Sequence, residues 1–145
     1  MKREYPDHPL VGVGAVIVRN GAVLLVQRAH DPGRGKWAMP GGRLRLGETL
    51  AQAARREAHE ETGVEVEPGE ALSVTDLIQH DDAGRVRYHY VLVDLLARYV
   101  SGEPRAGSDA LDVRWVDARD LDAYPMPDRT RRVLEMGLAR AAEES

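Results

Sequence analysis

The sequence predicts an α/β domain in which a mixed β-sheet carries helices against its faces, and three observations make that prediction. Apolar, β-branched runs of strand length recur along the chain, one segment around residues 49–62 repeats its apolar positions at helical spacing, and the last stretch before the C-terminus again looks helical. The order is a hairpin, one helix, several strands and a final helix, which fits a mixed sheet rather than a doubly wound parallel one. At 145 residues the chain is expected to be a single domain over residues 1–145, with no repeat or linker.

Each element has its own signal. "VGVGAVIVRNGAVLLVQRA" reads as two strands joined at Asn20-Gly21, the strongest short-range hairpin pair. The glycine- and proline-bearing "HDPGRGKWAMPGG" follows as a loop. Thr49 to Thr62 then reads as a helix, with Gly63 placed as its C-terminal cap. At 100° per residue, Leu50, Ala51, Ala54 and Ala58 are expected to face the core, and Gln52, Arg55 and His59 to face water. "ALSVTDLIQ" and "RVRYHYVLVDLLARYV" read as strands separated by the turn-rich "HDDAGR", and "DVRWVDA" as a further short strand. Pro127 is expected to open the last helix, running to about Ala142.

Composition narrows the function classes. The chain is 43% hydrophobic and 30% charged, as in soluble globular proteins, and its longest apolar run is broken by Asp94 and Arg98. The opening residues show no apolar signal region, so a cytoplasmic location is expected, with no membrane partner. A net charge of −4 argues against general nucleic-acid binding. With no cysteine, any metal is held by oxygen or histidine, which favours hard cations.

The helical segment ends in an unusual concentration of carboxylates. Glu57, Glu60 and Glu61 stand at i, i+3 and i+4 and therefore share one flank, where like charges repel. A solvated, salt-bridged helix is one use for such charges. Arg56 is expected to neutralise only one of the three, whereas Mg²⁺ or Mn²⁺ would relieve the repulsion and still leave positions open for water and substrate phosphates. Gly41 and Gly42, just upstream, permit a tight turn and close approach of backbone to a ligand. His59-Glu60 does not form a zinc-binding HExxH.

Gly42, five residues, Glu48, seven residues, and then Arg56-Glu57-Ala58-His59-Glu60-Glu61-Thr62-Gly63-Val64 match every position of the Nudix box. The chain resembles the Nudix hydrolases, and "GKWAMPGG" before the box and "VRWVDARDL" after the sheet extend the likeness. The resemblance implies a Nudix fold, an α/β/α sandwich around a mixed sheet, and hydrolysis of a nucleoside diphosphate linked to X. It also implies Gly42, Glu57, Glu60 and Glu61 as the divalent-metal site, with Mg²⁺ or Mn²⁺ as cofactor. Arg56 would orient Glu57, which is a candidate base for the attacking water, and Glu48 would reach the metal through water or pair with Arg56. Asp109 and Asp112 are rival bases.

The outer residues of the site stay open between two uses. Arg28, Trp37, Gly41 and Gly42 are candidate substrate contacts, against a solvated arginine and a tryptophan packed beneath a loop. Tyr88, His89 and Tyr90 line a nucleoside pocket or pack in the core. Arg45 stands where many relatives of the resembled family carry an acidic residue, and the only Pro or Tyr between Val64 and Arg87 is Pro68, so no subfamily signpost is present. The "RYHYVLVD" stretch resembles ADP-ribose pyrophosphatase-like members, which makes ADP-ribose or another nucleotide sugar the first expectation. A nucleoside triphosphate sanitising enzyme and a non-catalytic nucleotide-sensing domain are the alternatives. A small-molecule nucleotide is thus the expected partner, with a homodimer as a further expectation.

Overall fold

A computed structural model describes residues 2–31 and 33–144. The hairpin forms as expected, from β1 (Leu10–Arg19) and β2 (Ala22–Arg28). Asn20 and Gly21 both take left-handed backbone angles, φ 50° and 79°, which match the twist of the strands they join. Two short strands follow, β3 (Trp37–Ala38) and β4 (Gly41–Arg43), and then helix α1 (Leu50–Thr62). A long hairpin of β5 (Glu65–His80) and β6 (Val86–Ser101), strand β7 (Ala110–Asp117), a 3₁₀ turn (Ala118–Ala123) and helix α2 (Asp128–Glu144) complete the chain. Strand β5 begins six residues before the expected Ala71, because its register breaks between Pro68 and Ala71 and so absorbs Pro68 and Gly69 without ending the strand.

The strands make one mixed sheet in the order β3-β2-β1-β6-β5, with β4 on β1 and β7 on β2. Among the described residues only β1 and β6 pair in parallel. β1 stays with β2 for just two residue pairs, Val18 with Val23 and Arg19 with Ala22. Beyond that point the two strands part. The edge of β1 released in this way takes β4, pairing Gly12 to Gly14 with Arg43 to Gly41. The parting therefore opens the sheet where the glycine pair enters.

Period-two alternation along β1 and β2 builds two cores. Val13, Ala15, Ile17 and Leu24 pack under α1 against Ala53, Ala54 and Ala58, while Val16, Val23 and Leu25 pack with Trp37, Leu121, Val133 and Leu134 under α2. Helices on both faces of a mixed sheet make the expected α/β/α sandwich. One detail of α1 differs from expectation. Its buried residues are Ala53, Ala54, Ala58 and Thr62, whereas Leu50 is 37% exposed and Ala51 is exposed. The first turn follows the exposed loop Arg45 to Gly47, and the helix reaches the sheet only from its second turn.

Candidate active site

Both ends of α1 are fixed by the chain itself. The Thr49 hydroxyl accepts from the Gln52 N–H (3.1 Å) and the Gln52 side-chain carbonyl accepts from the Thr49 N–H (2.9 Å), a reciprocal capping box. At the other end Gly63, φ 77°, donates to the His59 carbonyl (2.9 Å). With the helix pinned in this way, its carboxylate flank faces a cavity of about 720 Å³ lined by Gly41, Gly42, Arg56, Glu57, Glu60, Glu61 and Asp109.

The glycines make room for that flank. A side chain at Gly42 would overlap the Glu57 carboxylate, and the Gly41 N–H donates to Glu61 Oε2 (3.1 Å). Beyond Glu57 and Glu48, Arg56 also reaches Glu60 and a strand carbonyl. Its Nε and Nη2 donate to Glu48 (2.6 and 2.9 Å), Nη1 donates to Glu57 Oε1 (2.6 Å) and to Glu60 Oε2 (3.4 Å), and Nη2 also donates to the Arg43 carbonyl (3.1 Å). The planar five-donor fork is what permits one side chain to serve several acceptors. Of the two roles left open for Glu48, the structure shows the pairing with Arg56.

The electrostatics follow this geometry. Hydrogen bonds from Arg56, reinforced by the Arg45 N–H, hold the Glu48 carboxyl down to about 2 despite its burial. Glu61 behaves oppositely. Burial, and then the neighbouring charge of Glu57, push its carboxyl up to about 8, opposed in part by the Gly41 N–H and by Arg28. Glu60 stands half exposed, with Arg45 Nη2 3.7 Å away.

Among the described residues no three acidic or histidine side chains meet as a metal-ligand group. The carboxylates instead spread along one wall, two of them in the grip of Arg56. An all-oxygen donor set beside a cavity suits a hard cation that keeps water and substrate oxygens in its remaining positions, and the charged form of Glu61, disfavoured by its burial beside Glu57, is one that such a cation would stabilise. The residues present therefore fit Mg²⁺ or Mn²⁺.

The rival bases separate. Asp109 lines the cavity on a loop tied to α1, since the Arg105 N–H donates to the Thr62 carbonyl and the Gly107 N–H to the Glu61 carbonyl (2.9 Å each). Asp112 lies in β7, accepting from the Val113 N–H and from Arg114 Nε, and does not line the cavity. Arg28 and Trp37 line a second cavity of about 680 Å³, together with Lys36, Tyr88 and Tyr90, while His89 does not. Trp37 is 6% exposed and meets Tyr124 edge-on, with ring centroids 5.1 Å apart, so most of its surface is packed. Gln52, Arg55 and His59 are exposed, as expected. Ser108 and Arg3 are among the cavity residues with no signal in the sequence, and Arg3 lines both cavities. Nothing in the local pattern of "MKREYPD" marks it, because it is the next residues, Glu4 and Tyr5, that are tied to distant parts of the chain.

A family model describing the NUDIX domain matches residues 8–136. Among proteins of similar sequence is the ADP-ribose pyrophosphatase of Methanocaldococcus jannaschii, 32% identical over 114 residues, covering 79% of this chain and 65% of that protein. This chain covers less than two thirds of the length of the first three curated relatives, 65%, 33% and 37%. Among solved structures, a MutT NUDIX hydrolase from Burkholderia pseudomallei is 36% identical and superposes with a TM-score of 0.76 over 90% of this chain and 98% of its own. The NUDIX domain of Shewanella oneidensis NrtR complexed with ADP ribose superposes with a TM-score of 0.73 at 25% identity, over 94% of this chain and 90% of its own.

Proposed function

This chain belongs to the NUDIX family, and from that premise we propose that it is a divalent-metal-dependent pyrophosphohydrolase acting on a nucleoside diphosphate linked to X, with ADP-ribose or another nucleotide sugar as substrate. The observation that carries this reading is the acidic wall of Glu57, Glu60 and Glu61 that lines one cavity together with Asp109, with a second, aromatic and cationic cavity beside it. A phosphate ester does not enter a wall of carboxylates unless cations accompany it. A substrate with a non-phosphate group at each end of a diphosphate has use for two adjoining cavities. The relative named as an ADP-ribose pyrophosphatase and the neighbour holding ADP ribose support that choice of X.

Gly42, Glu57, Glu60 and Glu61 would hold the cation, which when bound supplies charge neutralisation on the phosphate oxygens. The chain's own groups do the rest. Arg56 fixes the Glu57 carboxylate through Oε1, which positions the group to take the proton of a water attacking phosphorus. Bond formation from the water oxygen then breaks the bridging P–O bond, releasing a nucleoside monophosphate and phosphorylated X. Asp109, held on the loop tied to α1, is the second candidate for the same proton. Arg28 and Lys36 would meet phosphate oxygens, and Tyr88, Tyr90 and the exposed margin of Trp37 would meet base or ribose.

Turnover of a panel of ADP-ribose, sugar nucleotides, dinucleoside polyphosphates and nucleoside triphosphates, with Mg²⁺, with Mn²⁺ and with chelator, tests the reading. Chelator-sensitive cleavage of ADP-ribose or a sugar nucleotide well above the rest is the expected result. Preference for a nucleoside triphosphate would replace the substrate with a sanitising role. Binding without any cleavage would replace the enzyme with a sensor.

A further inference from the structure

Arg3 occupies an unusual place. It lines the carboxylate cavity and also the cavity of Arg28, Trp37, Tyr88 and Tyr90, so it stands at the seam between them. Among the described residues it has no hydrogen-bond or ion-pair partner, although Glu57, Glu60, Glu61 and Asp109 line the same cavity.

The residues that follow it are, by contrast, firmly tied to the tip of the β5–β6 hairpin. The Tyr5 N–H donates to the Arg87 carbonyl (2.8 Å), the Tyr5 hydroxyl donates to Asp81 Oδ2 (2.9 Å), and the Arg85 guanidinium lies 5.0 Å from the Tyr5 ring centroid. Glu4 accepts from the Tyr88 hydroxyl (3.1 Å) and from Arg87 Nη2 (3.5 Å). Tyr5 itself has φ 51°, a left-handed conformation that is rare for a tyrosine and persists only where its surroundings enforce it. Five contacts thus secure two residues of an otherwise irregular segment, and the side chain they leave unpaired is the arginine at the seam.

We propose that Arg3 is a substrate-binding residue whose guanidinium pairs with the diphosphate oxygens of a nucleotide lying across both cavities, so that it favours substrates with a group on each side of that bridge. The proposal rests on the pyrophosphohydrolase reading for its substrate. The chemistry is that of the guanidinium fork, whose parallel N–H groups match two phosphate oxygens at once. Arginine at the edge of an acidic cavity also offsets the negative wall that repels an incoming diphosphate. The tether through Glu4 and Tyr5 limits the rotational freedom lost when the contact forms, which is how preorganisation raises affinity.

The test uses the full chain with Arg3→Ala, Arg3→Lys, Tyr5→Phe and Lys2→Ala, and two readouts. One is calorimetric binding of α,β-methylene-ADP, a diphosphate that cannot be cleaved at the bridge, in the presence of Mg²⁺. The other is steady-state turnover of the substrate found in the panel. Arg3→Ala should weaken binding and raise KM by about tenfold with kcat within about twofold, the effect of losing one charge-assisted contact to an anion. Arg3→Lys should recover part of the loss, Tyr5→Phe should fall between wild type and Arg3→Ala, and Lys2→Ala should match wild type. If Arg3→Ala binds the probe and turns over substrate like wild type, Arg3 is a solvated surface residue and the proposal is wrong. If wild type binds the probe through Arg3 but cleaves nothing, the pyrophosphohydrolase reading fails while the assignment of Arg3 stands. Absence of both binding and cleavage in wild type overturns both.

Discussion

The Glu57 carboxylate lies in the space that a side chain at residue 42 would fill. The two positions are fifteen residues apart, and only the pairing of β4 with β1 and the pinned start of α1 bring them together. Gly42→Ala therefore has to push the carboxylate off its seat and disturb its bond to Arg56. Misplacement of a reacting group by about 1 Å can cost 10²-fold, so kcat should fall by about that factor. Thermal melting should show a loss of about 1–3 kcal/mol from the forced overlap.

Glu57→Gln separates chemistry from structure. Arg56 keeps both bonds to Glu48 in that variant, so the helix flank stays in place. Turnover should drop by about 10²–10⁴-fold while circular dichroism and melting stay close to wild type. Near-normal activity would move the base to Asp109, and Asp109→Asn in the same assay would then carry the larger loss.

Glu61→Gln should make the protein more stable and less active. The amide oxygen still accepts the Gly41 N–H, and a buried charge is removed. Because the folded protein holds the Glu61 proton up to about 8, above the ordinary 4.5, the charged form costs stability, and that cost grows as pH rises from about 4.5 to about 8. In chelator, the melting temperature of the variant should exceed that of wild type near pH 8 and converge with it near pH 4.5. Equal melting curves across that range would show that burial of Glu61 is not costly.

Glu48 titrates in the opposite sense. Its carboxyl is held down to about 2 by Arg56, so the stabilisation is complete above the ordinary 4.5 and is lost as pH falls toward about 2. Glu48→Gln should thus melt well below wild type at neutral pH, with the gap narrowing through that acid window. A gap independent of pH would mean that the Glu48–Arg56 pair contributes through packing alone.

What the sequence made legible was local. The Asn20-Gly21 turn and the Gly63 cap are decided by backbone angles that few residues tolerate, and both appear where the residue types placed them. The shared flank of Glu57, Glu60 and Glu61 follows from helical spacing alone. The full reach of Arg56 did not: its pairing with Glu48 was among the expectations, but the Arg43 carbonyl it also meets lies on a separate strand. Periodicity also misjudged which alanines lie inside, since it cannot say that the first turn of α1 overhangs the sheet. Arg3 was invisible for the same reason: the hairpin tip that secures its neighbours lies about eighty residues away in the chain.

The loop that carries Asp109 hangs from the last carbonyls of α1, through the N–H groups of Arg105 and Gly107. An added residue extends a chain by up to about 3.3–3.6 Å, more than the length of a hydrogen bond. Any insertion or deletion between Arg105 and Asp109 would thus either break that suspension or carry Asp109 out of the cavity. The length of the segment is as constrained as Gly107 within it, where any side chain would overlap the Glu60 carbonyl.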